Sequence, residues 1–303
     1  MEKIKIITDS TASIPPAILA QYPEIGIVPL YIQFGDQSYK EGIDITNADF
    51  YTKLAAASQL PTTSQPSAGD FVEAYKPWLD QGYSIISAHI GTKLSGTVAS
   101  AQAAKQMLNG DIEVFDSESS GMCLGFVAME GVRALQAGKS KAEILARMNA
   151  VKDGVRVMFA VDTLEYLKKG GRIGGAQALL GSILQIKPIL IIRDGQIDVL
   201  EKVRTSKKAQ QRLMDIAGEV QQRYPKAQLK LAVHEADAFQ LGQQVVEELR
   251  QRFGPAEIHF SPLSGALSVH TGPGLIGLVI WAEENGTVHP AYKGPVTGSQ
   301  GAK

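Results

Sequence analysis

Ser95 and Thr97 flank Gly96 inside the run His89 to Ala101, H-I-G-T-K-L-S-G-T-V-A-S-A. Upstream, Tyr83 to Ala88 is a short apolar, β-branched segment of the kind that forms a buried strand, and downstream Val98 to Leu108 has the composition of a good helix. The first N–H groups of a helix lack intrahelical acceptors, so hydroxyls and a glycine at a strand-to-helix junction can hold an anion. The same hydroxyls can serve only as a helix cap, and the window alone is compatible with both.

Other polar groups could join such a site. The loop Leu60 to Gly69, L-P-T-T-S-Q-P-S-A-G, is bracketed by prolines that restrict its backbone and present its hydroxyls. Arg172 lies between two glycine pairs in Gly170-Gly-Arg-Ile-Gly-Gly175, where its planar fork can meet an anion or simply be solvated. His270 falls in Ser264 to Gly274, which reads as a flexible, glycine-rich loop, and loops on a rigid scaffold often carry binding residues.

Several familiar chemistries are excluded by spacing. Gly272-Pro-Gly-Leu-Ile-Gly277 has the letters of a dinucleotide fingerprint but leads into the strand-like Leu278 to Trp281 instead of opening a helix. Gly138-Lys139-Ser140 resembles the end of a phosphate loop, yet Arg133 stands where the first glycine belongs. No serine is bracketed as in a nucleophile elbow. His89, His234, His259, His270 and His289 show no zinc-protease spacing, and His234 and His259 sit within strand patterns as core or sheet-edge residues. The single cysteine, Cys123, lies in an apolar run and reads as an inert buried thiol.

The elements that position these groups alternate over the first half. Ile4 to Thr8 is a strand that delivers Asp9-Ser10-Thr11, with Ser13 as the cap of the helix that follows, and Ile25 to Phe34 is a second strand. Helices are expected over Asp44 to Ala57, Asp70 to Trp78, Val98 to Leu108 and Met122 to Gln136, with a strand at Ile112 to Phe115 ending in Asp116-Ser117. This pattern predicts a mostly parallel, Rossmann-like sheet with helices on both faces. Ligands of such sheets bind beyond the C-terminal strand ends, where Asp9-Ser10-Thr11, Ser95-Gly96-Thr97 and Asp116-Ser117 would crowd one rim.

The second half predicts a mixed α/β domain. Helices are expected at Lys139 to Val151, Asp162 to Lys169, Gly174 to Gln185, Ser206 to Tyr224 and Phe239 to Arg252. Strands are expected at Val157 to Val161, Ile189 to Ile192, Gln196 to Leu200, Leu229 to His234, Ala256 to Pro262 and Leu275 to Trp281. The expected organisation is therefore an N-terminal domain over 1–153, a C-terminal domain over 154–285 and a flexible tail over 286–303. Ala176 to Ile192 carries more apolar residues than one amphipathic stripe needs, and reads as an all-round buried helix or the wall of a greasy cavity.

At 303 residues and 44% apolar the chain can build two cores. Lys plus Arg number 30 against 31 Asp plus Glu, which leaves no electrostatic footprint for nucleic acid. Met1-Glu2-Lys3 runs straight into a strand, and no apolar stretch reaches bilayer-spanning length, so the expectation is a soluble, cytoplasmic protein.

Taken in order, Asp9-Ser-Thr, Thr63-Ser-Gln-Pro66, Leu94-Ser-Gly-Thr97, Asp116-Ser117, Gly170-Gly-Arg-Ile173 and His270-Thr-Gly-Pro-Gly274 resemble the DegV family, over about Ile4 to Trp281. These are bacterial fatty-acid-binding proteins that serve as the lipid-presenting subunit of fatty acid kinase. The resemblance implies a two-domain α/β protein with one long-chain fatty acid between its domains and its carboxylate on Thr63 and Ser95. By the same match Arg172 and His270 would lie around the head group and its transfer, with Ser64, Gly96 and Thr97 as additional rim. It further implies a fatty acid kinase partner, transient contact with a membrane surface, no catalytic residue, no metal and no cofactor beyond the lipid. The competing reading is an acyl hydrolase or transferase using Ser95 and His270, which lacks an elbow and an orienting acid.

Overall fold

The computed structural model describes residues 2–180, 186–254 and 256–290. β1 (Ile4–Asp9) passes through a 3-10 turn (Ser10–Ala12) and α1 (Pro16–Leu19) to β2 (Ile25–Val28). β3 (Tyr31–Phe34), β4 (Gln37–Lys40), α2 (Asn47–Ala56), β5 (Thr62–Ser64), α3 (Ala68–Leu79), β6 (Ser84–His89), α4 (Thr97–Met107) and β7 (Ile112–Asp116) follow. The strands β2-β1-β6-β7 form a parallel sheet, as the alternation predicts. Successive strand residues point to opposite faces, and both faces are covered. Ile7 and Ile85 pack with Phe71 and Tyr75 of α3 and with Ala101 and Ala104 of α4. Ile6 and Ile86 turn the other way, toward Phe126 and Val127 of α5 (Met122–Gln136).

The single strand expected over Ile25 to Phe34 is instead two. Pro29 lies between them and has no N–H for a ladder, so β2 ends there and β3 starts a separate antiparallel sheet, β4-β3-β5. β5 lies inside the segment expected to be loop, paired with β3 through Ile32 and Thr63. Ser13 caps no following helix: it closes the 3-10 turn at φ 50, and its hydroxyl accepts from Ser264 N–H at 3.1 Å.

α6 (Lys141–Gly154) opens on a capping box between Ser140 and Glu143. Then come β8 (Arg156–Ala160), α7 (Glu165–Lys169), a 3-10 segment (Gly174–Leu179), β9 (Lys187–Arg193), β10 (Gln196–Val203), α8 (Ser206–Arg223), β11 (Gln228–Ala236) and α9 (Phe239–Phe253). β12 (Glu257–Pro262), α10 (Gly265–Thr271), β13 (Leu275–Glu284) and β14 (Thr287–His289) complete the described chain. The second sheet is mixed, in the order β10-β9-β8-β13-β11-β12, with β14 on β13. Thr287 to His289, expected in the tail, thus extends the sheet; 291–303 lies outside the described residues. The helix expected over Gly174 to Gln185 is a 3-10 segment as far as Leu179, and 181–185 lies outside the described residues.

α5 is buried along Met122 to Val132 because it is packed between the two sheets. Gly131 lets it approach β1: a Cβ there would stand 2.8 Å from Ile6 Cδ1. On the opposite side Phe126 meets Trp281 of β13 edge-on, with ring centroids 6.0 Å apart. Glu130 of α5 bonds both Arg133 and Arg147, which also reach Glu257 and Glu283 of the second sheet, each at 2.7 Å.

Candidate functional site

β1, β6 and β7 end on one rim of the parallel sheet, and a buried network fixes that rim. Asp9 Oδ1 accepts from Thr11 N–H at 3.0 Å, and Oδ2 accepts from His89 Nδ1–H and Ile90 N–H, each at 3.0 Å. His89 Nε2 lies 2.7 Å from Ser87 Oγ, which accepts from Tyr75 O–H at 2.7 Å. The order Ser87, His89, Asp9 has the connectivity of a proton relay, but all three are 0% exposed, so no substrate reaches them. What they do is hold Thr11 and Ile90, which face the adjoining cavity.

That cavity, of about 250 Å³, lies between this rim and the second sheet. Thr63, Ser64, Gln65, Ser95, Arg172 and His270 contribute polar groups to its wall. Thr63 is delivered by β5 and His270 by the last turn of α10; Thr63 Oγ1 and His270 Nε2 are 2.8 Å apart. The flexible loop expected around His270 is therefore a helix. A cap from Ser264 to Leu267 N–H and a hydrogen bond from Ala266 N–H to the buried Glu41 carboxylate stabilise it, and the second partner is distant in sequence. Burial, and then the charge of Arg172, push the His270 imidazole down to about 4, so it is neutral near pH 7. Among the described residues its Nδ1 is buried without a partner, and it faces Gly170, where any Cβ would overlap it.

Arg172 Nε donates to Leu94 O at 3.1 Å and Nη1 to Gly170 O at 2.6 Å. The guanidinium thus joins the loop before α4 to its own loop. Ser95 is not the cap of α4; the N-cap is Gly96, with no side-chain cap bond, and Ser95 Oγ lies 2.9 Å from Thr97 Oγ1. Ser95 and Ser64 are on the wall, whereas Thr97 is wholly buried behind it and Gly96 lies beneath Gln65, whose amide a Cβ would overlap.

The remaining wall is mostly apolar, with Val157, Phe159, Leu167, Ile192, Ile197 and Leu275 from the second half. Of the apolar segment Ala176 to Ile192, Ile192 is on this wall among the described residues. Thr11, expected on the rim, is on the wall, and so are Gln65, Ser120 and His234, which the sequence did not single out as binding residues. Gln65 is adjacent to Thr63-Ser64, and Ser120 follows β7 as Ser95 follows β6, so strand-end position was the usable signal. His234 is satisfied as expected of a core residue: Nδ1–H donates to Ser261 O at 2.9 Å and Nε2 accepts Met122 N–H at 2.9 Å, while burial lowers its pKa to about 4.

Hydroxyls and one guanidinium among apolar side chains suit a single anionic head on a hydrophobic body. Ser95 is bonded to Thr97 and His270 to Thr63, so the described geometry does not join Ser95 and His270 as nucleophile and base. Among the described residues no group of three metal-ligating side chains occurs, and no helix is long and apolar enough to cross a membrane.

A family model described as "Uncharacterised protein, DegV family" matches residues 3–283. A DegV domain-containing protein of Listeria innocua is 37% identical over 279 residues, 91% of this chain and 98% of that one. Among solved structures, DegV of Bacillus subtilis, described as a fatty acid binding protein, is 34% identical with a TM-score of 0.84, covering 92% of this chain and 99% of that one. A DegV family protein from Thermus thermophilus, described for its fatty acid binding, is 31% identical with a TM-score of 0.84, covering 93% of this chain and 100% of that one. With that match over nearly its whole length, and with the two-domain α/β fold of those structures, this chain belongs to the DegV family.

Proposed function

We propose that this chain binds one long-chain fatty acid in the cavity and presents its carboxylate to a separate fatty acid kinase, which converts it to acyl phosphate. The observation that carries the reading is the asymmetry of the wall: Thr63 contacts His270, Arg172 reaches the loop that carries Ser95, and apolar side chains fill most of the rest. The fatty acid binding described for the Bacillus and Thermus relatives supports it. In this account Thr63 and Ser95 donate to the carboxylate, Ser64 adds to the rim, and Arg172 and His270 surround the head group. Residues 1–153 supply the two hydroxyls and 154–285 most of the acyl wall, but Arg172 and His270 make the head-group end a joint product of both halves. The protein works in the cytoplasm, touches the membrane surface to exchange lipid, and needs no cofactor or metal.

Burying about fourteen methylenes at roughly 0.8 kcal/mol each gives on the order of 11 kcal/mol before ordering costs. Hydrogen bonds to the charged head add about 1.5–3 kcal/mol each. The tail therefore supplies most of the affinity, and the head fixes the direction in which the lipid lies.

The test is reconstitution with a fatty acid kinase and ATP, trapping acyl phosphate as the hydroxamate. Arg172→Ala and His270→Ala should retain much of their fatty acid binding and support little acyl phosphate. Hydrolysis of acyl esters by the protein alone, lost in His270→Ala, would displace this reading in favour of a hydrolase.

A further inference from the structure

The head-group end is not the only place where the cavity wall carries unpaired donors. α5 is a 15-residue helix whose N-cap, Gly121, provides no side-chain cap. Met122 N–H is taken by His234 Nε2 at 2.9 Å, and Gly125 N–H returns to Gly121 O at 3.0 Å. Between them the N–H groups of Cys123 and Leu124, at 1% and 0% exposure, have no acceptor among the described residues. These are the groups on which the positive end of a helix dipole concentrates.

Ser120, immediately before the cap, is 8% exposed and lies on the cavity wall. Its hydroxyl has no hydrogen-bond partner among the described residues. Gly121 is also on the wall; its φ is 60, and a Cβ there would stand 2.6 Å from His234 Nε2. The His234 ring therefore fills the space in front of Gly121, and Ser120 is the polar side chain that this end of α5 presents to the cavity. His234 supplies no free proton here, because Nδ1–H is spent on Ser261 O and Nε2 is an acceptor.

A carboxylate belongs at the end that carries Arg172, since the Ser120 end has donors but no cation among its named groups. A plain methylene chain passing Ser120 would leave that hydroxyl facing hydrocarbon, which is unfavourable. An oxygen on the chain would accept from it, at the positive end of the α5 dipole. We propose that Ser120, at the N-terminus of α5, forms a second polar subsite for an oxygen substituent on the acyl chain, so that a hydroxy fatty acid is preferred to its unsubstituted parent. This rests on the fatty-acid reading of the cavity.

The experiment is competition binding by the full chain, comparing stearate with 2-, 10- and 12-hydroxystearate and palmitate with 16-hydroxyhexadecanoate. One isomer should bind about three- to tenfold more tightly than its parent, the gain of one net hydrogen bond. Ser120→Ala should erase that preference, and Ser120→Thr, which keeps the hydroxyl, should restore it. Parent acids that bind as well as or better than every isomer overturn the subsite and leave the fatty-acid reading standing. A preference that persists in Ser120→Ala also overturns it. Failure of stearate, palmitate and all isomers to bind overturns the fatty-acid reading itself and the subsite with it.

Discussion

Thr63 and His270, 207 positions apart in sequence, are joined by a 2.8 Å contact between Oγ1 and Nε2. One residue sits on a short strand of the first half and the other on the last turn of a helix in the second. A proton on Nε2, donated to Thr63, leaves Nδ1 as an unprotonated acceptor against Gly170, without a donor among the described residues. The hydroxyl proton of Thr63 is then free for a carboxylate.

Ser95→Ala and Thr63→Val should each weaken fatty acid binding by about 1–3 kcal/mol and weaken a fatty alcohol of equal length less. Their effects should be coupled in a double-mutant cycle, because they share one carboxylate. Since Ser95 does not cap α4, Ser95→Ala should shift unfolding by less than about 0.5 kcal/mol. Equal losses for acid and alcohol would remove both residues from the head-group site.

Gly170→Ala places a methyl where His270 Nδ1 already sits, so the ring must move off Thr63. Affinity for the acid should fall by about 1–2 kcal/mol. Its neighbour Gly171, at φ 70 with open space around it, is the control: Gly171→Ala should cost about 1 kcal/mol of stability and leave affinity alone. Calorimetric titration of both variants separates the two effects, and equal affinities would sink the positioning argument.

Acid should destabilise the unliganded protein through its buried imidazoles. His234 and His270 are held at about 4 by burial, below the unfolded value of about 6.5. Between those values the unfolded chain binds more protons, so their contribution is fully present above about pH 6.5 and is lost as pH falls toward 4. Each group adds a slope of up to about 1.4 kcal/mol per pH unit near pH 5. Urea midpoints measured from pH 7 to 4.5 should show a shallower slope in His270→Gln than in wild type; an unchanged slope would contradict the neutral imidazole.

Glu130, 4% exposed at its side chain, holds Arg133 and Arg147. Glu130→Ala should destabilise by about 2–4 kcal/mol, less than a fully orphaned pair, because each arginine keeps a second carboxylate in the other sheet. Denaturant unfolding checks this, and a loss under about 1 kcal/mol would show that the network does not tie the halves together.

Local pattern was enough to read Met122 to Gln136 as one helix, the alternation of the first half and the adjacent strands at Ile189 to Ile192 and Gln196 to Leu200, since each rests on contacts near in sequence. It was not enough where partners are distant. α10 is held by Glu41, β5 by β3, and the break at Pro29 sends neighbouring strands to different sheets. Thr63, Ser64, Ser95, Arg172 and His270 line the cavity, whereas Gly96 and Thr97 lie behind its wall. Ser120 and Gln65 were not singled out because each lies in a run of polar residues, and only the fold shows which members of the run reach the cavity.

The central claim is tested most directly by denaturing protein purified from a bacterial host, extracting it into organic solvent and weighing the released lipid by mass spectrometry. One long-chain fatty acid, substituted or plain, should be released per chain. Repeated preparations that are empty and that also fail to take up added fatty acid would contradict it.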